Sequence, residues 1–173
     1  GCTASLWGVN PSHHACRVVI AEDEALIRLD LAEMLAEEGY EVVAQADNGA
    51  DAVDLAISLQ PDLVILDIKM PKLDGIAAAE QIAQRQIAPV VILTAFSQRE
   101  LVERARDAGA MAYLVKPFNK SDLVPAIEIA LSRFGEVKQL AQEVEDLGEQ
   151  LAARKVVERA KVVLQEELGL SEP

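Results

Sequence analysis

The runs Val18-Val19-Ile20-Ala21, Leu63-Val64-Ile65-Leu66 and Val90-Val91-Ile92-Leu93 are apolar at every position, yet each is too short to make a helix. A strand turns alternate side chains to opposite faces, so it is apolar throughout only when both faces are covered, as in a parallel sheet clad in helices. Glu41 to Ala46 and Ala112-Tyr113-Leu114-Val115 add two further strand-like segments. The stretches between them follow a helical period. Glu24 to Glu38 sets Leu26, Leu29, Leu31, Met34 and Leu35 as an apolar stripe and stops at Gly39. Ala50 to Leu59 ends at Gln60-Pro61, Ile76 to Arg85 follows the third strand, and Arg99 to Ala108 closes at Gly109. Ser121 opens a last helix, with Asp122 in its first turn. This alternation predicts an α/β fold: a doubly wound, five-stranded parallel sheet with helices on both faces, since right-handed crossovers leave helices on each side.

In such a sheet, ligands bind at the carboxyl ends of the strands. Glu22 and Asp23 follow the first strand, Asp67 closes the third, Thr94 the fourth, and Lys116 follows the fifth. Each residue alone reads as a cap, a structural hydroxyl or a solvated lysine. Their common place at the same end of four strands points instead to chemistry. Clustered carboxylates raise one another's pKa, and a hard divalent cation such as Mg²⁺ relieves the repulsion. Lys116 adds a positive charge and Thr94 a neutral donor. Together they suit a phosphoryl group carried on Asp67, because a carboxylate can be the covalent acceptor while the protein positions and neutralises.

Composition narrows the function classes. Of 173 residues, 51% are hydrophobic and only 3% aromatic, which suits helix and parallel-sheet packing. A net charge of −13 argues against broad affinity for nucleic acid or anionic membrane. No apolar stretch approaches the roughly 18 residues needed to cross a bilayer. Cys2 and Cys16 lack metal-ligand spacing and form no disulfide framework, which favours a reducing, cytoplasmic compartment. Residues 1–16 lack the order of a secretion signal and read as a flexible or artificial leader.

Ala21-Glu22-Asp23-Glu24, Asp67-Ile68-Lys69-Met70-Pro71-Lys72-Leu73-Asp74-Gly75, Thr94-Ala95 and Lys116-Pro117-Phe118 resemble the receiver domain of two-component response regulators. The resemblance covers residues 17–134 and implies a flavodoxin-like sheet in the order 2-1-3-4-5. It implies that Asp67 accepts the phosphoryl group of a sensor histidine kinase. Asp23 would ligate Mg²⁺ directly and Glu22 through water, with the Lys69 backbone carbonyl as a further ligand. Thr94 and Lys116 would hold phosphoryl oxygens, and the Lys116-Pro117 peptide would be cis. Thr94 and Tyr113 would form the switch, the hydroxyl moving toward Asp67 as the ring turns inward. Phe96, two residues after Thr94, would shield the acyl phosphate from water.

Beyond residue 134 the pattern changes. Val137, Leu140, Val144, Leu147 and Leu151 recur at spacings of three and four, a short heptad seam over 135–152. It reads either as a surface helix or as one that pairs with a second copy or another partner. Ala153 to Leu164 and the ending Gly169-Leu170-Ser171-Glu172 resemble the first helix and turn of ANTAR output domains, RNA-binding modules of antitermination regulators. Residues 153–173 would be the start of such a module, incomplete here, with Val162 where that family commonly has glycine. Arg154, Lys155, Arg159 and Lys161 against Glu158 give this segment a local positive excess. Two readings compete with RNA control: a receiver acting by protein contact or dimerisation alone, and a Mg²⁺-dependent phosphatase. The second lacks the acid expected two residues beyond Asp67, where Lys69 stands.

Overall fold

The computed structural model describes residues 15–95, 99–141, 143 and 144. The chain divides into two units, Gly1–Phe134 and Gly135–Pro173. In the first, the elements alternate as β1 (Arg17–Ala21), α1 (Ala25–Glu37), β2 (Glu41–Ala46), α2 (Gly49–Leu59) and β3 (Leu63–Asp67), followed by α3 (Gly75–Gln84), β4 (Val90–Thr94), α4 (Arg99–Asp107) and β5 (Ala112–Val115). Helical residues 120–134 follow as α5. The strands pair in parallel in the order β2-β1-β3-β4-β5, the flavodoxin-like order.

The apolar runs are buried on both faces, as their composition requires. Val18, Ile20, Leu63, Ile65, Val91 and Leu93 face one layer, where Leu31 and Leu35 of α1 meet Leu123 and Ile127 of α5. Val19, Ala21, Val64, Leu66, Val90 and Ile92 face the other, against Ala52 and Ala56 of α2, Ala79 and Ile82 of α3, and Ala105 of α4. Each fully buried Leu or Ile contributes about 2 kcal/mol, so these two layers hold the helices in place.

The α1 stripe is narrower than its sequence suggests. Leu31 and Leu35 are fully buried, but Leu26 is 82% exposed and Leu29 54%. At 3.6 residues per turn, Leu26 lies about half a turn round from Leu35, so one face cannot bury both. The last helix also opens earlier than Ser121. Asn119 and Asp122 cap each other's backbone, the Asn119 N–H donating to Asp122 Oδ2 at 3.2 Å and the Asp122 N–H to Asn119 Oδ1 at 3.1 Å. Ser121 sits inside the first turn, its hydroxyl donating to Asn119.

In the second unit, residues 135–141, 143 and 144 are helical, and Val137, Leu140 and Val144 are exposed. Leu147, Leu151 and the ANTAR-like stretch 153–173 lie outside the described residues, as do Phe96 and the leader through His14.

Candidate functional site

The site sits where the chain reverses its direction of travel across the sheet, at the carboxyl ends of β1 and β3. Register builds it. Ala21 pairs with Leu66 and Asp67 with Leu93, which brings Glu22, Asp67 and Thr94 into neighbouring positions at one sheet end. Thr94 pairs with Val115, and the Lys116 N–H donates to the Thr94 carbonyl at 2.8 Å. The strand-end residues of four strands are thus brought together. Asp67, Lys69, Thr94 and Lys116 line a cavity of about 320 Å³, together with Asp23, Glu24 and Leu101 of α4.

Lys116 organises the charges. Its Nζ donates to Glu22 Oε2 at 2.6 Å and lies 3.2 Å from Asp67 Oδ1. The other Glu22 oxygen accepts the Glu24 N–H at 3.1 Å, and Asp67 Oδ1 accepts the Ile68 N–H at 3.0 Å. Oxygens of Glu22, Asp23 and Asp67 all lie within 4.8 Å of one another. Three carboxylates and one ammonium leave negative charge uncompensated, and an all-oxygen donor set of this kind fits a hard divalent cation such as Mg²⁺. Glu22 is fully buried, while Asp23 is exposed and faces the cavity.

Burial is the main perturbation. It pushes Glu22 up to about 7, against the pull of the Lys116 hydrogen bond. It also raises Asp67, with Lys116 opposing. For Lys116 burial is again the largest effect and acts downward, but the combined hydrogen bonds and charges of Glu22 and Asp67 outweigh it, so the ammonium is held above its ordinary value. The sign for stability follows from Glu22. A raised carboxylate holds its proton in the folded state over a range where the unfolded chain has lost it, so stability falls as pH rises from 4.5 to about 7. The full penalty, about 3 kcal/mol, applies above that range. Urea unfolding of the metal-free chain and of Glu22→Gln across this window should show the variant gaining on the parent by that amount as pH rises. A difference independent of pH would count against it.

Two glycines shape the loop between β3 and α3. The Gly75 N–H donates to the Ile68 carbonyl at 2.8 Å, and the Gly49 N–H to the Leu73 carbonyl at 3.0 Å. A Cβ on Gly75 would stand 1.9 Å from the Asp67 carbonyl oxygen, and one on Gly49 2.1 Å from that of Leu73. The loop so clamped carries Lys69, whose side chain is exposed. Asp74 caps α3 by accepting the Ala77 N–H at 2.7 Å. The Lys116-Pro117 peptide is cis. Tyr113 lies on β5 with half its surface exposed. The places of Leu101 and Gly49 carry no signal in the sequence; Gly75 reads there only as a turn residue.

Known proteins give this geometry a family. The model for the response regulator receiver domain matches residues 18–128. The transcriptional regulatory protein PdtaR of Mycobacterium tuberculosis is 66% identical over 157 residues, covering 91% of this chain and 77% of that protein. The chemotaxis protein CheY of Bacillus subtilis is 40% identical over 119 residues, 68% of this chain and 99% of that protein. Among solved structures, the CheX-CheY-BeF₃-Mg²⁺ complex from Borrelia burgdorferi superposes with a TM-score of 0.62 at 28% identity, covering 65% of this chain and 86% of that one.

Proposed function

The chain belongs to the response regulator receiver domain family, and from that premise we propose that Asp67 takes a phosphoryl group from a sensor histidine kinase to control an RNA-binding antitermination output. The observation that carries the chemistry is the placement of Lys116, whose ammonium lies 3.2 Å from Asp67 at the cavity while its other partner is a fully buried acid. In the transfer, a carboxylate oxygen of Asp67 attacks phosphorus as the bond to the histidine nitrogen breaks, and that nitrogen leaves with the electron pair. Lys116 and the Thr94 hydroxyl receive the charge spread over the phosphoryl oxygens. Asp23, Asp67 and the Lys69 carbonyl would hold Mg²⁺, with Glu22 acting through water; the ion would supply neutralisation of the phosphoryl oxygens. The chain would be a signalling acceptor rather than a turnover enzyme, with Thr94 and Tyr113 as its switch.

The output rests on the ANTAR-like residues 153–173 and on the name of the relative from Mycobacterium tuberculosis, a transcriptional regulatory protein. The exposed apolar residues Val137, Leu140 and Val144 favour a second reading, in which this helix pairs with another copy and the receiver acts by protein contact.

Incubation with Mg²⁺ and an acyl phosphate such as acetyl phosphate is the direct test. One acid-labile phosphoryl group per chain is expected, on the peptide containing Asp67, and chelation of the metal should prevent it. Label on another residue, or undiminished label after chelation, would overturn the chemistry. Phosphorylated chain that binds RNA hairpins no differently from the unmodified chain would favour the contact reading.

A further inference from the structure

We propose that Arg28 is a positioning residue for metal binding: by holding the Glu22 carbonyl it orients the peptide that carries Asp23. This rests on the Mg²⁺ reading above. The Arg28 Nη1 donates to the Glu22 carbonyl oxygen at 2.7 Å, reaching back six residues from the first turn of α1. That carbonyl belongs to the peptide joining Glu22 to Asp23, so fixing its plane fixes where the Asp23 side chain begins. The rest of the turn is tied on either side. The Glu22 N–H donates to the Ala46 carbonyl at 3.0 Å, and the Glu24 N–H to Glu22 Oε1 at 3.1 Å. Glu24, the residue before α1, makes no side-chain cap. Asp23 itself is exposed at the cavity, so its direction depends on the backbone beneath it.

The guanidinium is a planar, positively charged donor of fixed geometry. Its charge and its geometry predict opposite effects. A cation beside a cation site repels the metal, so a residue acting only by charge would loosen Mg²⁺ binding, and removing it would tighten binding. A residue acting by orientation does the reverse, as the outer partners of metal ligands commonly do.

Calorimetric titration of Mg²⁺ into the full chain separates the two, alongside unfolding curves in metal-free buffer. Arg28→Ala should bind Mg²⁺ about tenfold more weakly than the parent. Glu33→Ala, an exposed change on the same helix, should match the parent. Should Arg28→Ala fail to fold, Arg28→Met decides the matter, since it too lacks both the charge and the donor: weaker binding supports orientation. Equal or tighter binding in a folded Arg28 variant overturns the inference while leaving the metal reading intact. No saturable binding by the parent chain would sink the metal reading and the inference with it.

Discussion

Asp67→Asn should lower phosphoryl incorporation from one group per chain to about none, while leaving the protein folded and more stable in metal-free buffer. The first half is chemistry: a carboxamide offers no anionic oxygen to attack phosphorus. The second half comes from burial. Asp67 is 7% exposed, and that burial raises its pKa, which means the folded protein disfavours the ionised form. Asparagine keeps an oxygen for the Ile68 N–H, now donated at 3.0 Å, and for the nearby Lys116 ammonium, without the cost of a buried charge. Its neutrality also removes a charge that helps raise Glu22. Mass spectrometry after acyl-phosphate treatment reads the first effect and urea unfolding the second. Loss of label together with loss of stability would show that the carboxylate holds the structure together, contrary to its raised pKa.

Gly75→Ala should cost about 3 kcal/mol and slow phosphorylation as well. The added methyl would meet the Asp67 carbonyl oxygen at 1.9 Å and its carbon at 2.7 Å, and neither is a flexible side-chain end that can swing away. Either α3 or the end of β3 must move. Overpacking against backbone in a filled region costs about 1–3 kcal/mol and occasionally more. Because the displaced atoms belong to Asp67, the proposed phosphoacceptor, the strain would reach the chemistry directly. Gly135 supplies the contrast: nothing lies within 4 Å of its Cβ position, and it sits in a helical stretch where alanine is favoured by about 1 kcal/mol. Urea midpoints for Gly75→Ala and Gly135→Ala should therefore shift in opposite directions. A Gly75→Ala midpoint equal to the parent's would mean that the β3–α3 loop yields freely.

The sheet could be read from the sequence because its evidence is local. Val18 to Ala21, Leu63 to Leu66 and Val90 to Leu93 have no polar side to show, so only a doubly covered strand suits them. The strand-end residues could be placed for the same reason, once each strand had an end. What stayed hidden depends on contacts between distant segments. Nothing near Leu26 reveals that α1 meets the sheet through Leu31 and Leu35 instead, because the choice of face is made by tertiary packing. Asn119 caps the last helix by exchanging backbone-to-side-chain hydrogen bonds with Asp122, whereas in the chain Ser121 is the stronger opening signal. Gly49 fits a tight approach of Leu73, 24 residues away in sequence order, and Arg28 reaches a carbonyl behind its own helix. Neither leaves a pattern in the chain.

Lys116 and Glu22 stand 94 residues apart. The two ends of that ion pair leave the ribosome at different times: the acids of β1 and β3 emerge first, and their counter-charge arrives only with the final strand. Until β5 takes its place beside β4, a growing chain holds Glu22 and Asp67 without the ammonium that lies between them. The charge balance of the site is therefore completed by the last strand of the sheet to be made.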